Sequence, residues 1–183
     1  MEQEPTIQTA VVRKACTGDA ASQAWLYRQY CKAMYNICIR MTGNQNDAED
    51  LLKEAFMIAF KNLRQLKDPV QFGGWLKRIV VNECIRFCKK NVYWSEWDEQ
   101  WEQTLSNEEP EWWKTVDLNM VNQEIKSLPD GCRQVFNLYV LEDYSHKEIA
   151  THLGISESTS KSQYHRARQL LKERITKQMQ LHG

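Results

Sequence analysis

Residues Tyr144 to Lys172 read YSHKEIATHLGISESTSKSQYHRARQLLK. Ser145 and Glu148, three positions apart, form a capping box, in which a hydroxyl and a carboxylate satisfy backbone N–H groups that a first helical turn leaves unpaired; a helix begins there. Ile149, Ala150 and Leu153 give it an apolar face. Gly154 can take the positive φ of a sharp turn. Ser156 then caps a second helix, with Ser160, Tyr164, Ala167 and Leu171 inward at spacings of four, three and four. A small Ala150, a glycine four residues later and a buried position six beyond that make helix-turn-helix spacing. The outward side carries Ser158, Lys161, Ser162, His165 and Arg166, with Ser156 and Thr159 adding hydroxyls at the helix start. Such groups suit phosphates and base edges in a DNA major groove. The competing reading is a helical hairpin with a solvated outer face. Charge favours DNA: Tyr144 to Gly183 holds seven Lys or Arg against three acids in a chain whose formal net charge is +0, so the basic surface is local.

The whole chain has 183 residues, room for one ordinary domain or two small ones, and its scarce Gly and Pro favour helices with short connections. No apolar run approaches the ~20 residues that span a bilayer, and the start MEQEPTIQTA lacks the regions of a signal peptide, so a cytoplasmic protein is expected. Its six cysteines are then read as reduced, core-filling thiols. A redox or metal switch through Cys84 and Cys88, one helical turn apart, is the competing reading. Cys31 and Cys38, two turns apart, could likewise share a neighbour.

Upstream, a short helix is predicted from Thr6 to Cys16, closed by Gly18, and a second capped by Asp19 with Leu26, Tyr30, Met34, Ile37 and Met41 inward as far as Gly43. Asn46 or Asp47 opens a third, burying Leu52, Ala55, Phe56, Ala59 and Leu63. Its outer stripe is Asp50, Glu54, Met57 and Lys61. A Met among charges is adaptable contact surface, or equally a plain solvated face. Asp68-Pro69 breaks that helix, and a loop leads to FGGWLKRIVVNECIRFCKK from Phe72. There Leu76, Ile79, Val80 and Phe87 point inward, and Arg78, Asn82, Arg86 and Lys89 form a polar stripe. Lys61 to Lys90 has eight cations against two acids, with Phe72 and Trp75 where loop meets helix and Lys77 beside them. Cations interleaved with exposed aromatic rings hold single-stranded nucleic acid; Phe72 and Trp75 read equally as core.

Val92 to Trp113 carries seven acids, no Lys or Arg and five tryptophans without a sustained helical period, and is read as a linker. Beyond it, Asp117 caps a helix burying Leu118, Val121, Ile125 and Leu128; Pro129 ends it; Asp130 opens another with Cys132, Val135, Phe136 and Tyr139 inward. The last helix should run to about Met179. The expected architecture is all-α: two small helical domains, 1–91 and 117–183, joined by an acidic Trp-rich linker, 92–116, the C-terminal one containing the helix-turn-helix.

Three blocks, DAEDLLKEAF from Asp47, FGGWLKRIVVNE from Phe72 and KEIATHLGIS with STSKSQYHRARQLLK from Lys147, resemble in order and separation the extracytoplasmic-function (ECF) sigma factors of the sigma-70 family. The resemblance covers about residues 8 to 90 and 117 to 178. It implies a non-enzymatic subunit with no cofactor and no metal, which binds RNA polymerase core and directs promoter-specific initiation. Asp50, Lys53, Glu54 and Met57 would face the clamp helices of the largest core subunit, the flap of the second largest being a further contact. The loop from Leu66 and the helix from Trp75, with Phe72, Trp75, Lys77, Arg78, Asn82, Arg86 and Lys89, would hold the melted minus-ten strand. Ser156, Ser158, Thr159, Lys161, Ser162, His165 and Arg166 would read the minus-thirty-five duplex. Many such proteins are held by an anti-sigma factor. Four positions depart from the family pattern. Arg86 stands where Asp is common, Gln163 where Arg is common, and Ser158-Thr159-Ser160 where Gly-Thr-Val is common. The buried Ser160 hydroxyl then calls for a partner, such as a carbonyl one turn back. No nucleophile with base and oxyanion donors and no phosphate loop occurs, and the histidine spacing fits no familiar ligand set. The alternative to a sigma factor is a helix-turn-helix regulator that binds duplex DNA without polymerase.

Overall fold

A computed structural model describes residues 7–91 and 118–182, so the acidic linker and the predicted starts at Thr6 and Asp117 lie outside the described residues. All regular elements among them are helical. Residue contacts gather the chain into two compact units, Met1–Phe87 and Cys88–Gly183.

The first unit begins with α1 (Ile7–Cys16), α2 (Ala20–Thr42) and α3 (Gln45–Asn62). Asp19 caps α2 by accepting from the Ser22 N–H at 2.8 Å. The start of α3 differs from the prediction: Asn44, not Asn46 or Asp47, is the cap, because its side-chain oxygen reaches the Asp47 N–H at 3.2 Å. Two short 3-10 turns, Leu63–Gln65 and Pro69–Gln71, lead into α4 (Phe72–Asn91), within which the two units divide. Asp68 caps the second turn through the Val70 N–H at 3.0 Å. The core draws Val12 from α1, Leu26, Met34, Ile37 and Met41 from α2, Leu52, Ala55, Phe56 and Ala59 from α3, and Leu76, Val80 and Cys84 from α4. Gly73 allows the close approach of α4 to Tyr30, whose ring would lie 3.0 Å from an added Cβ.

The second unit contains α5 (Leu118–Lys126), α6 (Asp130–Phe136), α7 (His146–Leu153) and α8 (Glu157–His182). Ile125 and Leu128 meet Cys132, Ala167, Leu171 and Ile175, with Val121, Phe136 and Leu170 at the margin. Tyr139 departs from its predicted inward place. After Phe136 the helix widens into a π-helical segment, Asn137–Leu141, closed by the Glu142 N–H on the Asn137 carbonyl at 3.2 Å. The wider turn shifts the side-chain register, so that Leu138 is fully buried and Tyr139 stays 38% exposed. Asp143 turns the chain at φ 59 towards the Ser145 cap, where both bonds of the capping box form. Gly154 ends α7 at φ 72, in the left-handed region where a Cβ would be strained.

This register predicts unequal costs at neighbouring positions. Leu138→Ala should lower the unfolding free energy by about 2–5 kcal/mol through lost contacts and a residual cavity, and Val140→Ala, at an exposed position, should stay within about 0.5 kcal/mol. Urea unfolding of the full chain measures both, and equal costs at the two positions would contradict the register.

Candidate nucleic-acid interface

The start of α8 is built as a cluster of hydroxyls. The Ser156 Oγ accepts from the Thr159 N–H at 2.9 Å and lies 2.8 Å from the Ser158 Oγ and 2.7 Å from the Thr159 Oγ1. Ser156, Ser158 and Lys161 are exposed, and Thr159, Ser162, His165 and Arg166 are half-buried along the same side. Lys161 is paired with Glu157 at 2.8 Å, which holds the Glu157 carboxyl below its usual range through that hydrogen bond and charge. Of the expected inward residues, Ser160, Ala167 and Leu171 are buried and Tyr164 is half-buried.

Sequence reasoning missed much of how this helix is seated. Gln163 turns inward, where its Oε1 accepts from the Cys132 thiol at 3.0 Å; in this structure it belongs to the packed face of α8 and not to its outer face. The partner of Ser160 is not a carbonyl one turn back but His146 Nδ1, 2.9 Å from the Ser160 Oγ. The His146 ring stacks on Tyr139 with centroids 4.3 Å apart and planes 11° from parallel. Burial, then the nearby charges of Lys161 and His165, push the imidazole below its ordinary range, with Glu157 opposing them. Arg133, almost fully buried, donates to the Lys126 and Leu128 carbonyls at 3.2 and 2.9 Å and pairs with Asp130, closing the corner between α5 and α6. The missing signal was long range: a polar residue on an amphipathic pattern reads as outward until its buried partner is known.

On α4, Arg78, Asn82, Arg86 and Lys89 are all exposed along one stripe, and Lys77 and Trp75 are half-buried. Phe72 is a correction. It is fully buried, edge-on to Tyr30 at 5.2 Å and 6.2 Å from Trp75, so its ring packs the core and offers no face to a base. Arg86 is held by Glu83 at 2.8 Å; burial raises the Glu83 carboxyl, and the Arg86 charge works against that rise. On α3, Asp50, Lys53 and Glu54 are exposed and Met57 is 72% exposed, with Lys53 and Asp50 3.3 Å apart.

Cys38, Cys84, Cys88 and Cys132 are buried. Burial pushes the Cys88 thiol up to about 12, leaving it protonated and a poor nucleophile at neutral pH, which disfavours the switch reading. A hydrogen bond with Cys84 holds the buried Cys38 thiol below its usual range, and Cys31 donates to the Arg28 carbonyl at 3.7 Å.

Two family descriptions match the chain: Sigma-70 region 2 over residues 26–92 and Sigma-70, region 4 over residues 118–171. The ECF RNA polymerase sigma factor SigE of Mycolicibacterium smegmatis is 31% identical over 88% of this chain, which spans 65% of that protein's length. SigW of Bacillus subtilis, also an ECF RNA polymerase sigma factor, is 30% identical over 90% of this chain and 94% of its own. Among solved structures, CnrH in complex with the cytosolic domain of CnrY aligns with 91% of this chain and 95% of that chain, at a TM-score of 0.48 and 21% identity. The chain therefore belongs to the ECF RNA polymerase sigma factors of the sigma-70 family, proteins of promoter-specific transcription initiation.

Proposed function

We propose that this sigma factor works in the cytoplasm, without catalysis of its own, through surfaces carried by two domains, 1–91 and 117–183, joined by a linker at 92–116. Asp50, Lys53, Glu54 and Met57 on α3 dock on the clamp helices of the largest core polymerase subunit, and the C-terminal domain meets the flap of the second largest. Trp75, Lys77, Arg78, Asn82, Arg86 and Lys89 on α4 hold the melted minus-ten strand, cations on phosphates and the indole against a base. Ser156, Ser158, Thr159, Lys161, Ser162, His165 and Arg166 read the minus-thirty-five duplex, mostly through phosphates. An anti-sigma factor is the natural competitor for the core-docking face. The observation that carries this reading is the stripe Arg78, Asn82, Arg86 and Lys89, exposed together on one helix far in sequence from the helix-turn-helix. A regulator that only binds duplex DNA has no use for it.

The test is transcription in vitro with bacterial core polymerase free of other sigma factors and a pool of host promoter fragments. Discrete start sites that need both core and this chain are expected. Specific duplex retention by the chain alone, with no core-dependent starts, would replace the reading by a stand-alone regulator. Two variants test the surfaces. Arg166→Ala should weaken minus-thirty-five binding at every sequence and lower the salt slope by about 1; an unchanged slope removes Arg166 from the phosphate contacts. Glu54→Arg should lower core affinity by about tenfold or more by reversing a charge at the docking face, and undiminished competition for core would take Glu54 out of that face.

A further inference from the structure

We infer that His146 is a positioning residue for the recognition helix: its hydrogen bond to Ser160 and its stack on Tyr139 fix the rotation at which α8 presents Lys161, His165 and Arg166 to DNA. The inference rests on the duplex-reading role proposed above for α8. Three elements meet at this one imidazole. It is the first residue of α7, directly after the Ser145 cap, so its backbone is fixed by the capping box. Its Nδ1 lies 2.9 Å from the Oγ of Ser160, a fully buried residue on the inner face of α8. Its ring lies flat on Tyr139, which the π-helical segment turns out of the core to meet it. Tyr164, one turn beyond Ser160, closes the cluster at 4.6 Å from Tyr139 and 5.6 Å from His146. Lys161 follows Ser160, and His165 and Arg166 follow Tyr164, so any rotation of α8 that breaks the His146–Ser160 bond also moves these three side chains. Apolar packing at Ala167 and Leu171 resists such a rotation weakly because it is not directional; a hydrogen bond from a stacked ring resists it directly.

The seat is also sensitive to pH. The groups facing the imidazole are Lys161 and His165, which disfavour its charge, and Glu157, which favours it; Tyr139 and Tyr164 are its aromatic neighbours, and Lys147 adjoins it in the chain. Burial is the largest influence and opposes protonation. The closed seat thus holds fewer protons than an opened one. Its stability is complete above the ordinary histidine value of 6.5 and is lost progressively as pH falls below it.

The experiment uses the full chain with core polymerase and compares open-complex formation on a promoter and on the same promoter with its minus-thirty-five element scrambled. The chains compared are the parent, His146→Phe, Ser160→Val and the double variant. Each single change orphans a polar group and should cut the ratio by about fivefold or more; the double change, which replaces the polar pair by an apolar one, should recover part of that loss but stay about twofold or more below the parent, because an apolar pair carries no direction. A double variant equal to the parent would show that burial alone sets the rotation and would overturn the inference. The parent ratio should fall between pH 7.5 and 5.5 and that of the double variant stay level. In the free chain, ring-nitrogen NMR should place the His146 midpoint below 6.5 and move it in Ser160→Val. Additive single and double changes, or parallel pH profiles in parent and double variant, would overturn the inference while leaving duplex reading intact. A parent ratio near one, with the NMR signature present, would show a real seat but no duplex reading, and both would fall together.

Discussion

A helix has one rotation about its own axis, and that single angle sets what it buries and what it presents. On α8 the constraint is severe. Ser160, Gln163, Ala167, Leu171 and Ile175 must all find partners on one side. Once they do, the placing of Ser158, Lys161, Ser162, His165 and Arg166 is no longer free. The same rule operates on α4, where burying Leu76, Val80, Cys84 and Cys88 turns Arg78, Asn82, Arg86 and Lys89 outward, and on α3, where Leu52, Ala55 and Ala59 leave Asp50, Glu54 and Met57 exposed. The surfaces proposed for polymerase and promoter are in this sense by-products of core packing. Their chemistry is free to vary only at positions the core does not claim.

This coupling explains what could be read from the chain before its structure was known. The capping box at Ser145 and Glu148, the left-handed turn at Gly154 and the Asp19 cap are local: each needs only residues within a few positions, so spacing alone identifies them. The exposed stripes on α3 and α4 follow from helical period and the apolar positions opposite. The misses share a different cause. Asn44 competes with Asn46 and Asp47 for the same cap, and only the reach of its side chain to the Asp47 N–H decides. Tyr139 was misplaced because a π turn adds a residue to the period and no local residue announces it. Phe72 is a ring between cations, and whether it stacks on a base or on Tyr30 depends on a helix more than thirty residues away in sequence. Ser160 is legible as a buried hydroxyl in need of a partner, but that the partner is His146, and that Gln163 meets Cys132, depends on residues far along the chain.

The two units solve burial with different materials. The first closes over aliphatic side chains, alanines and aromatic pairs such as Tyr30 on Phe72, with centroids 5.2 Å apart, and of its polar residues buries the small Thr9, Ser22 and Thr42 besides one acid. Its buried acid, Glu83, is tied to Arg86 on the exposed stripe. That link restrains the one cation standing where the family commonly has an acid. A guanidinium held by a neighbouring carboxylate keeps its geometry but offers less net charge to a phosphate, so the α4 stripe is less cationic in effect than its residues suggest.

The second unit places Arg133, Gln134, Asn137, Ser160 and Gln163 inside, several of them where a plain hydrophobe would fit a helical bundle. Polar burial adds little net stability, since each bond formed replaces one with water and each bond missed costs about 1–3 kcal/mol. What it adds is direction. Dispersion and hydrophobic contacts vary slowly as one helix turns against another, whereas a bond such as Cys132 Sγ to Gln163 Oε1 at 3.0 Å is lost within a small rotation. A bundle that only had to persist would do better with leucines. A helix that must hold its side chains in register with base edges gains more from bonds that fail when the angle is wrong. In this unit the Cys132–Gln163 and His146–Ser160 bonds therefore act as constraints on orientation, placed beneath the face proposed to read DNA.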